Sequence, residues 1–377
     1  MNFNYSEDQL AIKEVADRIF RDLCGDDAIK QCFKSEQPFH GELWQQLAGA
    51  GLLATSLPAD LGGSEMGMTE LSIVLEGQGR SVAPVPVVES IVACAMPIAR
   101  FAPDALKRDL VPALASGDKI LVPVRPYDGL QALQSLSATA SGNGWQLNGT
   151  STLCLYAPVA HGFLVQAKLG NGEHWIGYCD ANATGVHITA QRASSGEIAG
   201  QIRFDNVNIS SEHCIAVGDE AEALLEWQSQ RVFAAMAAVQ VGVLREGVQR
   251  AASYTNERTQ FGRSLSSFQA VAQQAADGYM AVEALQGVLW RALDDLDNAN
   301  PLAELSCRVA KFWLSESGHK AGHIFLHLHG GIGQDLDYPL HRFFIWAKKN
   351  ELMLGSADRH SAALGKLIAQ NPQRVLA

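Results

Sequence analysis

No stretch of this chain reaches the roughly 20 consecutive apolar residues that span a bilayer, although 47% of its 377 residues are apolar. A membrane partner is therefore not expected. Basic residues are few: 29 Lys and Arg stand against 40 Asp and Glu, a net charge of −11. That balance offers no general attraction to nucleic acid or anionic lipid. The start, MNFNYSEDQLAIKEVADRIF, lacks a basic segment followed by an apolar block, so it does not read as a secretory signal, and a cytoplasmic location is expected. The seven cysteines are an odd number, are scattered and form no C-x-x-C pair, which points to free thiols. Also missing are the G-x-S-x-G elbow, the G-x-x-x-x-G-K-[ST] loop and a G-x-G-x-x-G turn after a strand, so the common hydrolase, nucleotide triphosphatase and Rossmann readings lose their support.

What is present divides the chain into three parts. From residue 5 to about 118, apolar residues recur at helical spacing, with stops at LPADLGG and SVAPVPVVES. Met68, Leu71, Ile73, Val74 and Leu75 form a broad stripe suited to a core. Between about 120 and 218, short apolar runs alternate with turn dipeptides. Asn143-Gly144 and Asn148-Gly149 are hairpin signals, and HGFLVQAKL, GVHITAQ and QIRFDNVNIS read as strands. The helical period then returns and holds to the end, broken at NERTQFGRSLSSFQ, DNANP and HGGIGQDLDYP, with room for four long helices. The expected domains are 1–118 (α), 119–218 (β) and 219–377 (helical), an α+β multidomain arrangement.

Three residue groups carry chemical interest. Arg258 and Arg263 flank Gln260-Phe261-Gly262, a turn where two guanidinium forks suit a phosphate while Phe261 and Phe268 anchor the loop. Gly330, Gly331 and Gly333 let backbone approach a ligand such as a diphosphate, and equally suit a helix C-cap or a tight corner. His319, His323 and His327 recur every four residues, a metal-ligand spacing, yet with no H-E-x-x-H glutamate they read as buried or interfacial histidines, and no metal is expected.

Taken together, NERTQFGRSLSSFQAVAQQAAD and HLHGGIGQDLDYPLHRFF resemble the paired C-terminal motifs of the acyl-CoA dehydrogenase flavoproteins. The resemblance extends to WQQLAGAGLLATSLPADLGGSEMGMTEL and GWQLNGTSTLCLYAPVAHGFLV, and so covers nearly the whole chain. It implies an N-terminal helical domain, a central β-barrel-like domain and a C-terminal four-helix bundle, assembled as a tetramer with FAD at subunit interfaces. It also implies an acyl-CoA substrate and an electron-transfer flavoprotein as electron acceptor. By the same resemblance, Arg258, Gln260 and Phe261 face the FAD diphosphate, and Gln269, His327, Gly330 and Gly331 lie near its ADP part. His327 stands where the pattern often has Gln and keeps hydrogen-bonding capacity.

The family's reaction needs a carboxylate to remove a proton α to the thioester, and an environment that stabilises the thioester oxygen. Counting from Arg342, the segment LMLGS puts Leu354 at the usual base position. Leu354 cannot take a proton, though its backbone N–H remains able to polarise a thioester oxygen. The alternative base position, before Arg231, holds Gln230. The flavin-facing loop, LVPVRPYDGLQAL at 121–133, also departs from the family pattern. These departures imply a subunit of a heteromeric dehydrogenase whose base belongs to a homologous chain, as in relatives that handle bulky steroid-derived acyl-CoA in lipid metabolism. The alternatives are a homotetramer with a displaced acid, Glu226 or Glu351, and a non-catalytic acyl-CoA or protein-binding module.

Overall fold

The computed structural model describes residues 4–124, 136–370 and 372. Six α-helices come first: α1 (Glu7–Leu23), α2 (Asp26–Lys34), α3 (Gly41–Gly49), α4 (Met68–Ser81), α5 (Met96–Phe101) and α6 (Asp104–Ala115). The start of α1 is written in Ser6-x-x-Gln9. Ser6 Oγ accepts from Gln9 N at 3.2 Å, and Gln9 Oε1 accepts from Ser6 N at 2.9 Å, a reciprocal cap. The expected stripe of Met68, Leu71, Ile73, Val74 and Leu75 is buried throughout.

Eight strands follow: β1 (Leu121–Val124), β2 (Leu136–Ser141), β3 (Gly144–Leu155), β4 (Gly162–Lys168), β5 (His174–Asp180), β6 (Val186–Arg192), β7 (Ile198–Ser210) and β8 (Cys214–Val217). They form one sheet in the order β6-β7-β3-β2-β4-β5-β8, with β1 added parallel to β4. No pairing joins the two ends of this path among the described residues. Phe163, Trp175, Ile202 and Val207 fill its core.

The two hairpin signals resolve differently. Ser141 pairs with Gly144, so the turn centres on Gly142-Asn143, one residue earlier than Asn143-Gly144, with Gly142 supplying the positive φ of 60°. Asn148-Gly149 is not a turn. Strand β3 runs through it with a register shift against β7, and Gly149 at φ 125° absorbs the bulge.

The last part holds α7 (Asp219–Glu257), the two-residue strands β9 (Thr259–Gln260) and β10 (Arg263–Ser264), α8 (Gln269–Asp297), α9 (Ala303–His329), α10 (Leu340–Leu352) and α11 (Ala357–Gln370). Three helices are long. The place of a fourth is taken by α10 and α11, because Leu354 and Gly355 adopt φ values of 60° and 106° that a continuous helix cannot contain.

Two compact units emerge, one of Cys32–Leu71 with Pro84–Val232, the other of Met1–Gln31, Ser72–Ala83 and Phe233–Ala377. The first carries the sheet. The second carries the helices around both C-terminal motifs, with Leu285, Leu289, Leu314, Phe325 and Trp346 buried between them. None of the seven cysteines is joined in a disulfide. No helix among the described residues is long and apolar enough to cross a membrane.

Candidate active site

The arginine motif begins where α7 stops. Arg258 N still donates to Tyr254 O at 2.8 Å, and the chain then doubles back through the β9–β10 hairpin, with Gln260 paired to Arg263 and Thr259 to Ser264. Phe261 and Gly262 form its tip with φ values of 53° and 75°, the pair of positive values that a two-residue type I′ turn demands. Glycine meets that demand without strain, whereas Phe261 is held there by the hairpin.

The expected anchoring is only half realised. Phe268 does anchor, since the Arg263 guanidinium lies 3.9 Å from its ring centroid. Phe261 makes an edge contact with Phe268 at 6.1 Å but is 89% exposed, so it projects outward instead of seating the loop. Arg263 is thus occupied inside the chain. Arg258 is exposed, and its guanidinium has no acid or hydrogen-bond partner among the described residues. Gln260 and Gln269, the latter opening α8, are likewise exposed.

The glycine motif caps α9. Gly330 ends that helix at φ 63°, and its N–H donates to His327 O. A β-carbon on Gly330 or Gly331 would meet nothing within 4 Å, so the backbone here is open to a ligand. Gly333 differs: its space is filled by His329 and Leu326, which makes it the structural glycine of the three.

A contact absent from the sequence reading ties the two motifs together. Tyr254, one turn before Arg258, stacks on His329 beside Gly330, with ring centroids 4.6 Å apart and planes 19° apart. Tyr338 meets the same imidazole at 5.5 Å. His329 Nδ1 donates to Phe325 O at 2.8 Å, while its buried Nε2 has no partner among the described residues. Burial lowers its pKa and so favours the neutral ring.

The histidine stripe is real but not buried. His319, His323 and His327 are all exposed on α9, with the first two rings 4.5 Å apart. An α-helical spacing of four places them on one face, and that face turns outward. No group of three or more metal-ligating side chains suited to an ion exists among the described residues.

The base turn is built quite differently. Leu354 lies between α10 and α11 at φ 60°, a conformation that costs a leucine roughly 1 kcal/mol. Its carbonyl accepts from His360 Nε2 at 3.0 Å, and the carbonyl of Gly355 accepts from Lys311 Nζ at 2.9 Å. The Leu354 N–H donates to no acceptor among the described residues. Glu351 is fully engaged: Oε2 pairs with Lys348 Nζ at 2.6 Å, and Oε1 lies 3.3 Å from His319 Nδ1. Glu226 is an exposed residue of α7 in the other compact unit. Gln230 is partly buried, and Arg231 lies 3.6 Å from the Trp227 ring centroid. Of the flavin-facing loop, residues 125–133 lie outside the described residues.

Lys311, Ser315 and His360 are absent from the sequence reading. Lys311 left a signal there: with Cys307, Ala310 and Leu314 on the same face of α9, a lone lysine sits in a buried stripe.

The unpaired Arg258 and the open glycine backbone suit an anionic, diphosphate-bearing cofactor, and known proteins agree. A profile of the acyl-CoA dehydrogenase N-terminal domain matches residues 6–118, and one of the C-terminal domain matches residues 230–368. The chain belongs to the acyl-CoA dehydrogenase family, oxidoreductases acting on CH–CH groups with FAD as cofactor. Among relatives, it is 33% identical to the acyl-CoA dehydrogenase FadE27 of Mycobacterium tuberculosis over 99% of this chain and 100% of that one. Among solved structures, it matches a chain of the ChsE4-ChsE5 complex from Mycobacterium tuberculosis with a TM-score of 0.90 and 33% identity, covering 98% of this chain and 99% of that one. It also matches the Tcur3481-Tcur3483 steroid ACAD, a G363A variant, with a TM-score of 0.89 and 36% identity over 97% of this chain and 99% of that one.

Proposed function

We propose that this chain is one of two homologous subunits of a heteromeric acyl-CoA dehydrogenase that desaturates a bulky, steroid-derived acyl-CoA between its α and β carbons. The carrying observation is the base turn. At the position where the family places its proton acceptor stands Leu354, and Glu351, the acid nearest in sequence, is held by Lys348 and His319. Both oxygens of Glu351 are thereby occupied within the chain. The base is therefore supplied by the other subunit.

In this reading the chain gives its partner's flavin site a cationic grip. Arg258 with Gln260 and Phe261 faces the FAD diphosphate, and Gln269, His327, Gly330 and Gly331 lie along the ADP part. A bidentate guanidinium neutralises diphosphate charge, and open glycine amides donate without steric conflict. FAD, when bound, accepts the hydride leaving the substrate's β carbon. The unpartnered Leu354 N–H serves a thioester oxygen as it gains negative charge.

Support for the heteromer comes from two relatives of over 30% identity, whose descriptions pair two differently named chains, one pair being called a steroid ACAD. The domain limits at 118 and 218, the barrel-like form of the sheet, the α2β2 tetramer, the electron-transfer flavoprotein acceptor and a cytoplasmic setting belong to the same reading. The test is co-expression with each homologous chain, followed by native mass spectrometry. An assembly that holds both chains and FAD is expected. A homotetramer of this chain alone, carrying a full complement of FAD, would overturn the proposal.

A further inference from the structure

Beside the base turn lies a lysine with no exposed surface that the chemistry above does not use. Lys311 is 0% exposed, carried inward by the buried face of α9. Its ammonium donates to Gly355 O at 2.9 Å, Ser315 Oγ at 3.1 Å, Glu351 O at 3.2 Å and Asn350 O at 3.3 Å. Three of these acceptors are carbonyls at the end of α10 and in the turn. None is a carboxylate.

The last carbonyls of a helix lack intrahelical donors and carry partial negative charge, so an ammonium placed there does the work of a cap. Ser315 Oγ adds a bond to Glu351 O at 3.0 Å. His360 on α11 holds Leu354 O from the other side at 3.0 Å. Two helices thus grip the carbonyls of two consecutive residues. That grip holds Leu354 at φ 60° and leaves its N–H without an internal acceptor among the described residues.

We propose that Lys311 is a positioning residue: with Ser315, its ammonium clamps the carbonyls of Asn350, Glu351 and Gly355 and so presents the Leu354 N–H to an acyl-thioester oxygen. The inference rests on the thioester-facing reading of the turn given above. It also makes the clamp responsive to pH. Burial lowers the Lys311 pKa to about 7, while Glu351 pulls it upward. Facing it are Glu351 of α10, itself paired with Lys348, and His360 of α11, which feels Lys311 together with Arg308 and Arg359. His360, lowered to about 4, stays neutral while Lys311 titrates. The clamp is fully charged below neutrality and loses a proton above it.

The test uses the full chain labelled with 15N-leucine, with the Leu354 amide assigned through Leu354→Met. Titration between about pH 6 and 9 should move that resonance with a midpoint near the lowered lysine value. Lys311→Met should abolish the titration and raise hydrogen exchange at Leu354 on the order of tenfold, by releasing the turn locally. Ser315→Ala, which removes one acceptor from the ammonium and leaves the helix intact, should lower the midpoint and keep the chain folded even if Lys311→Met does not. A flat Leu354 resonance in the unmodified chain, or unchanged exchange in both variants, overturns the clamp. A steroid-derived acyl-CoA added to the FAD-bearing assembly with the homologous chain, in a second arm, reports on the thioester reading: if Leu354 titrates but ignores the thioester, the clamp stands and that reading falls.

Discussion

The arginine–glycine region and the base turn lie in the same compact unit and dispose of their polar groups in opposite ways. Around Arg258, Gln260, Gln269 and Gly330 the groups are exposed, and the turn tip carries an aromatic ring that is 89% exposed. Around Leu354 nearly everything is satisfied from within. Lys311, Ser315 and His360 take up the carbonyls, and Lys348 and His319 take up Glu351. Buried polar groups are costly unless paired, so internal pairing marks a part meant to stay rigid. Exposed and unpaired groups mark a part completed by something else. One region presents unpaired groups suited to a cofactor, while the other is a fixed platform whose Leu354 N–H has no acceptor among the described residues.

The sharpest way to break this contrast is to titrate the platform. Burial holds His360 at about 4, below the free-imidazole value of 6.5. Between those values the unfolded chain takes up a proton that the folded chain refuses, so stability falls as pH drops through that window, by up to roughly 3 kcal/mol. Denaturant unfolding at several pH values should show this acid limb, and His360→Leu should remove it. The same sign applies to Lys311: between about 7 and 10.5 the unfolded chain keeps a proton that the folded chain has lost, so stability climbs with pH there.

Next in size is Gly355→Ala. Its φ of 106° disfavours any side chain, and an added β-carbon would lie 3.2 Å from His360 Nε2. A loss of about 1–3 kcal/mol is expected by calorimetry. Arg258→Ala sharpens the opposite side. It should weaken FAD binding to the assembled enzyme by roughly tenfold or more, the worth of a charged hydrogen bond, with the melting temperature of the isolated chain unchanged. The smallest effect is expected for Phe261→Ala, within about 0.5 kcal/mol in the isolated chain because the ring is already in solvent. A larger loss at Phe261 than at Gly355 would reverse the comparison.

Much of this was legible in the sequence where the signal is local. The α, β, α order follows from hydrophobic period, and the arginine hairpin from Gln260-Phe261-Gly262-Arg263. Strands without a local signature were not legible. β5 is buried at nearly every position and shows no alternation, β8 has four residues, and β1 contains Pro123. That a leucine stands at 354, where the resemblance puts the base, needs only a count along the chain. How that turn is held cannot be read this way, because the carbonyl acceptors of Lys311 lie 39 to 44 residues away on other elements and appear only when α9, α10 and α11 pack. The outward-facing Phe261 and the Tyr254–His329 stack escaped for the same reason.

The most direct measurement is the flavin absorbance of this chain, incubated with free FAD with and without the homologous chain, on anaerobic addition of a steroid-derived acyl-CoA. With no proton acceptor on its own base turn, the band should stay oxidised, and should bleach only when the homologous chain is present. Rapid bleaching by the solitary chain would contradict the account.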